Sequence, residues 1–303
     1  LEKFGPQGRT ALLPALHEAQ AIYGYLPEPV AAAIGKALGV PLADVHGVID
    51  FYALFYREPV GKTVIHVCND QACAMAGSEG IFKMATQRTT PAGNGHPMVT
   101  VERAPCLGLC EHAPALLVQG QPVASGKELT WEQLVAGEGR PPHSVVGGDI
   151  ALLTANCGRG RTTTLAEYEA GGGYAALRKA LEASPQALID VVKTSGLVGR
   201  GGAAFPTGVK WEGARKATGQ PKYVVCNADE AEPGTFKDRV LMEDDPHRVL
   251  EGLILSAYAV GAAKGYFYIR GEYQIPYRIV QGAVEEARAA GYLGENILGS
   301  GFS

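Results

Sequence analysis

Four cysteines in two spaced pairs limit this chain more than any other feature. Cys68 and Cys73 are separated by four residues, and Cys106 and Cys110 by three. Each pair follows a run with strand-like periodicity, at residues 63–67 and 99–102. Two such pairs brought together give four converging thiolates, as an iron–sulfur cluster or a zinc ion needs. Structural zinc favours two-residue gaps within a pair, so gaps of four and three fit it poorly. A disulfide scaffold is disfavoured, because 6 cysteines in 303 residues are few and no export signal is visible. The spacing favours a [2Fe–2S] cluster on Cys68, Cys73, Cys106 and Cys110, with zinc as the alternative. The intervening loops agree with a ligand role. Asn69-Asp70-Gln71-Ala72 is polar, Gly108 lets backbone N–H groups turn toward a sulfide, and Pro105 stiffens the approach to Cys106. The other thiols differ: Cys226 closes an apolar run and reads as a buried core residue, and Cys157 has no partner in sequence. His66 and His112 read as ordinary strand and loop histidines.

Periodicity places the cysteines in an α/β domain behind a helical segment. The first 57 residues read as helical, broken at Tyr23-Gly24-Tyr25-Leu26-Pro27. A helix over 29–38 ends at Gly39, and another starts near Pro41 with Val45, Val48 and Phe51 on one face. Strands follow at 63–67, 99–102 and 115–118, with helices at 77–87 and 131–136. The stretch Gly137-Glu138-Gly139-Arg140-Pro141-Pro142 lacks a hydrophobic period and opens a linker over 137–160. Beyond it helices (174–183, 185–194, 249–263, 277–290) alternate with strands (222–226, 266–270), as in a largely parallel sheet with ligand loops at the strand ends. Ser184 is the expected N-cap of the helix opened by Pro185.

Bulk composition narrows the function classes. A net charge of -4 gives no reason to expect a nucleic-acid or acidic-membrane partner. The apolar stretch 249–263 is too short and interrupted to span a bilayer. The N-terminus shows no signal peptide, and its lack of a Met suggests that the start lies upstream.

Two segments of the second half carry chemistry. Residues 199–210, Gly-Arg-Gly-Gly-Ala-Ala-Phe-Pro-Thr-Gly-Val-Lys, let backbone N–H groups approach an anion or a planar ring. A helix beginning near Thr207 would point its positive end at a phosphate, Arg200 and Lys210 supply charge, and Phe205 offers a stacking surface. The acidic run Asn227-Ala228-Asp229-Glu230-Ala231-Glu232 follows a strand directly, where open α/β sheets bind ligands. Glu243-Asp244-Asp245, in contrast, reads as a solvated face, as does Glu285-Glu286 with Arg288.

With these residues in view, the first half resembles the small thioredoxin-fold [2Fe–2S] subunit of respiratory complex I over about residues 5–136. The cysteine motifs and Gly47-Val48-Ile49-Asp50-Phe51-Tyr52 carry that likeness. The glycine loop, the acidic loop and Tyr268-Ile269-Arg270-Gly271-Glu272-Tyr273 resemble the flavin-carrying, NADH-oxidising subunit of complex I from about residue 160 onward. NAD-reducing hydrogenases and NAD-linked formate dehydrogenases share that family.

The resemblance implies an N-terminal helical bundle plus thioredoxin-like [2Fe–2S] domain (1–136), a linker (137–160) and an α/β flavin-binding domain (161–303), incomplete at its C-terminus. It implies FMN contacts at Gly199, Arg200, Gly201, Gly202, Lys210, Asn227, Asp229 and Glu230, with Phe205 and Glu232 meeting NADH. Gly213 stands where the family has a second aromatic residue, and Ala204 where many relatives have glycine. The expected function is a diaphorase subunit that moves hydride from NADH to FMN and single electrons to iron–sulfur clusters. Its partners would be other subunits of a complex I-like, hydrogenase or formate dehydrogenase assembly, in the cytoplasm or in the peripheral arm of a membrane-bound complex. The alternative is a non-enzymatic [2Fe–2S] electron-relay or assembly module.

Overall fold

The computed structural model describes residues 1–89, 98–124, 129–141 and 143–303. The chain forms two compact units, Leu1–Pro141 with Ala231–Gly234, and Pro142–Glu230 with Thr235–Ser303.

The first unit opens with three helices, α1 (Leu12–Tyr23), α2 (Glu28–Leu38) and α3 (Leu42–Phe51). Leu16, Ile34, Leu38, Val45, Ile49 and Phe55 pack together between them. On α3 the buried residues are Val45 and Ile49, one turn apart, while Phe51 is 78% exposed. The expected Val45–Val48–Phe51 face is therefore corrected: the buried stripe runs at i and i+4 and leaves Phe51 outside it.

A four-stranded sheet follows, from β1 (Thr63–Cys68), β2 (Val99–Ala104), β3 (Leu116–Val118) and β4 (Gln121–Val123), in the order β2-β1-β3-β4. Helices α4 (Gln71–Met75) and α5 (Ser78–Arg88) connect β1 to its parallel neighbour β2, and α6 (Trp131–Val135) follows β4. The other pairs are antiparallel. Gln119 and Gly120, both at positive φ, make the two-residue turn between β3 and β4. The sequence reading did not include β4, a three-residue strand that carries Pro122. As the edge strand of this sheet, β4 tolerates a residue that cannot donate to a ladder.

In the second unit α7 (Leu165–Ala170), α8 (Ala175–Leu181), α9 (Pro185–Thr194) and α10 (Thr207–Lys216) precede β5 (Tyr223–Ala228). Helices α11 (Lys237–Asp244) and α12 (Pro246–Val260) lead to β6 (Lys264–Ile269), and α13 (Gln274–Ala289) follows. β5 and β6 pair in parallel, in register from Tyr223 with Lys264 to Ala228 with Ile269. Ser184 caps α9 by accepting the Ala187 N–H.

Buried carboxylates organise this unit. Glu251 accepts the Tyr168 hydroxyl and the N–H groups of Tyr174 and Leu177, which satisfies buried donors at the start of α8. Asp244 and Asp245 are 1% and 0% exposed, which overturns their reading as a solvated face. Asp244 accepts the Gly158 N–H at 2.8 Å and pairs with His143, while Asp245 accepts from Asn156 and Arg248. They anchor the stretch between 143 and 163, which has no helix or strand of its own. Among the described residues no single helix is long and apolar enough to cross a membrane.

Candidate functional site

The four expected cysteines lie around the ends of β1 and β2. Cys68 ends β1, Cys73 lies one turn into α4, and Cys106 and Cys110 flank the turn after β2. Their Sγ atoms form two couples: Cys106 and Cys110 are 3.4 Å apart, and Cys68 is hydrogen-bonded to Cys73. Cys68, Cys73 and Cys106 are at most 2% exposed, and Cys68 and Cys73 pack with Leu107, Leu109 and Leu117.

Backbone donors aim at these sulfurs. The Gly108 N–H donates to Cys106 and the Ala115 N–H to Cys73, each at 3.4 Å. The hydrogen bond with Cys73, helped by N–H groups of Asp70 and Leu107, brings the Cys68 thiol down to about 6 despite its burial. That same bond, together with burial, pushes Cys73 up. Burial is the main cause that lifts Cys106 to about 11. The set favours anionic sulfur at Cys68, and would favour it at all four thiols once metal cations replaced the protons.

Sequence reasoning missed Asp70 as more than a polar loop residue. Its carboxylate accepts the Cys106 N–H at 2.8 Å and so ties the second cysteine turn to the first. An aspartate between two ligand cysteines is the signal that could have found it.

In the second unit, the glycine segment is a closed loop. The Gly199 N–H donates to the Phe205 carbonyl, the Thr207 N–H donates to the Leu197 carbonyl, and Val198 bridges Pro206. Gly202 has φ 100°, a conformation that side chains with a Cβ rarely adopt. At Gly208 a Cβ would stand 2.6 Å from Lys193 Cγ, so glycine alone allows α10 to pack this closely on α9. That packing sets the loop beside a cavity of about 650 Å³ between α10, β5 and α12.

Gly199, Gly201, Phe205 and Lys210 line this cavity, with Trp211, Tyr223, Cys226 and Leu253. Arg200 and Gly202 lie exposed on the same loop but are not among the lining residues. Cys226 is half-buried and faces the cavity as well as the packing around Met242, which corrects its reading as a sealed core thiol. Burial lifts it to about 11.

The acidic loop divides by role. Asn227 ends the exposed face of β5, and its side chain accepts the Asp229 N–H. Glu230 turns inward instead, with its side chain 0% exposed. It accepts the N–H groups of Asp238 and Arg239 at the start of α11, the Tyr273 hydroxyl and Lys237. Arg270, on the loop after β6, donates to the Glu230 carbonyl. Glu232 is exposed and belongs to the segment Ala231–Gly234 that groups with the first unit.

Comparison with known proteins agrees with both halves. The thioredoxin-like [2Fe–2S] ferredoxin family matches residues 1–137, and the Nuo51 FMN-binding domain matches residues 192–298. Residues 1–137 thus form a thioredoxin-like [2Fe–2S] ferredoxin domain, and residues 192–298 lie in a Nuo51-type FMN-binding domain. Over 140 residues, 46% of this chain and 33% of the relative, it is 61% identical to an NADH-quinone oxidoreductase subunit of Rhizobium meliloti (strain 1021). It is 33% identical to the alpha subunit of the NAD-reducing hydrogenase HoxS of Cupriavidus necator, over 97% of this chain and 51% of that one. A crystal structure of an NAD+-reducing [NiFe]-hydrogenase superposes with a TM-score of 0.73 at 27% identity, covering 92% of this chain and 49% of that chain. The chain thus spans between a third and a half of the length of these curated relatives.

The residues present fit both groups. In the ferredoxin domain, two couples of thiols with N–H donors on their sulfurs match a binuclear cluster, which takes two protein thiolates on each iron. In the FMN-binding domain, a cavity of about 650 Å³ with aromatic walls and Lys210 suits a planar ring that carries a phosphate.

Proposed function

We propose that this chain is a diaphorase-type oxidoreductase subunit, taking hydride from NADH and delivering single electrons to iron–sulfur clusters. One observation carries the reading: a single chain holds both the coupled thiols and a glycine-loop cavity within an FMN-binding domain. The names of the relatives support it, since they describe an NADH-quinone oxidoreductase subunit and an NAD-reducing hydrogenase subunit. FMN, when bound, accepts two electrons as hydride and releases them one at a time.

The chain's residues take the following parts in this reading. Cys68, Cys73, Cys106 and Cys110 ligate the [2Fe–2S] cluster. Gly199, Gly201, Gly202 and Arg200 present N–H groups and charge to FMN, and Lys210 neutralises its negative charge. Asn227 and Asp229 hold polar ring or hydroxyl edges at the β5 end, and Glu230 keeps that end in place. Phe205, 53% exposed, is the wall against which the nicotinamide stacks, and Glu232 orients it. Further subunits of a complex I-like, hydrogenase or formate dehydrogenase assembly would be its partners, in the cytoplasm.

The test is anaerobic reconstitution of the full chain with FMN, iron and sulfide. Expected are a flavin spectrum bleached by NADH, an EPR signal of a reduced [2Fe–2S] cluster, and NADH-dependent ferricyanide reduction. Phe205→Ala should raise the KM for NADH more than it lowers kcat, as loss of a binding wall requires. An iron–sulfur signal without retained FMN would support the electron-relay reading instead. Zinc without iron would overturn both.

A further inference from the structure

The break Tyr23-Gly24-Tyr25 after α1 has no part in the chemistry above, yet it borders a second cavity. This cavity, of about 700 Å³, lies wholly within the first unit. Tyr23, Tyr25 and Tyr56 form its aromatic walls, and Val64 and His66 of β1 lie at its depth. Lys62 stands on its lining and is exposed, whereas His66 is 1% exposed. The His66 and Tyr56 rings lie nearly parallel, 20° apart with centroids at 6.0 Å, and the Tyr56 hydroxyl is 3.3 Å from Nε2.

Charge and shape narrow what this space would take. The described lining residues include one lysine and one histidine and no carboxylate. The carboxylate that faces His66, Glu102 at 3.9 Å on β2, is not among them. Three tyrosines around one space favour a flat ring, which stacks on or meets the edge of each phenol without needing a matching hydrogen-bond pattern. An exposed lysine at the lining favours a negative substituent that keeps partial contact with water. The volume is that of a pocket for a small organic molecule rather than a single ion.

We propose that this cavity is a binding site for a planar aromatic anion, its ring between the tyrosines and its anionic group at Lys62. The site sits beside the sheet face that carries Cys68, because Val64, His66 and Cys68 alternate onto the same side of β1. It does not depend on the flavin reading, since every lining residue belongs to the ferredoxin domain.

Calorimetric titration of the full chain, saturated with FMN, tests the proposal with three probes. 2-Naphthoate should bind saturably at one site per chain. 2-Naphthylmethylammonium, with the same ring and the opposite charge, should bind at least tenfold more weakly, as should cyclohexanecarboxylate, which lacks the flat ring. Lys62→Glu should weaken 2-naphthoate at least tenfold, and Tyr23→Ala about fivefold. Both residues are exposed, so both variants should keep the wild-type circular dichroism spectrum. Absence of saturable 2-naphthoate binding overturns the proposal. So does equal affinity for the cation, or binding that is unchanged in both variants.

Discussion

The carboxylate of Glu230 accepts the backbone N–H of Arg239 at 2.9 Å, closing the loop after β5 onto the start of α11. Glu230 itself is left-handed, with φ 47°, a conformation that costs about 1 kcal/mol or more outside glycine. Its side chain offsets that cost by satisfying two helix-start donors and the Tyr273 hydroxyl. Asn227 and Asp229 lie just before this inward anchor, at the end of β5.

Replacing the anchor therefore tests structure and cofactor retention together. Glu230→Ala leaves buried donors without an acceptor and should lower stability by about 2–4 kcal/mol, whereas Glu230→Gln keeps an acceptor and should lose about half as much. Urea unfolding followed by circular dichroism measures both. FMN retention after gel filtration should fall in the same order. Equal stability of wild type and Glu230→Ala would show that the capping bonds contribute nothing net.

Cysteine replacement separates ligands from bystanders. Cys106→Ser should bring iron and sulfide after reconstitution down to background and erase the EPR signal. Cys226→Ser, which alters a thiol lining the other cavity, should leave both at the wild-type level. Retention of a wild-type signal in Cys106→Ser would remove that thiol from the ligand set.

Asp70 governs how long the two cysteine turns stay together. Its charge-assisted bond to the Cys106 N–H is lost in Asp70→Ala, weakening the turn by about 1.5–3 kcal/mol. Cluster absorbance should then bleach several-fold faster in the presence of a chelator. Asp70→Asn should bleach at an intermediate rate.

Alkaline pH should act through Cys157 and Cys226, which burial lifts from 9.0 to about 11. A thiol with a raised folded pKa stays protonated while the unfolded chain has already lost that proton. Its contribution to stability is thus complete below about pH 9 and is lost as pH rises through 11. Urea midpoints should fall between those two values, and Cys226→Ala should fall less steeply there. Iodoacetamide at pH 8 should label both thiols more slowly in the folded chain than in urea.

Local pattern determined a large part of this protein. Cysteine spacing marked four thiols before any contact was known, and the runs at 63–67, 99–102 and 222–226 lie on β1, β2 and β5 because strand periodicity is a property of neighbouring residues. Ser184-Pro185 likewise opened α9 by capping chemistry confined to one turn. Tertiary structure decided what sequence distance hides. Asp244 and Asp245 look like surface charge, yet their partners Gly158, His143 and Asn156 lie far back along the chain and bury them. Glu230 reads like its acidic neighbours until α11 and Tyr273 supply donors for it. β4 holds Pro122 within a strand because it lies at an edge of its sheet, which only the strand order reveals. In each case the residue's own chemistry was legible, but its burial and partners were fixed only when distant segments packed, because desolvation and hydrogen bonding depend on what surrounds a group.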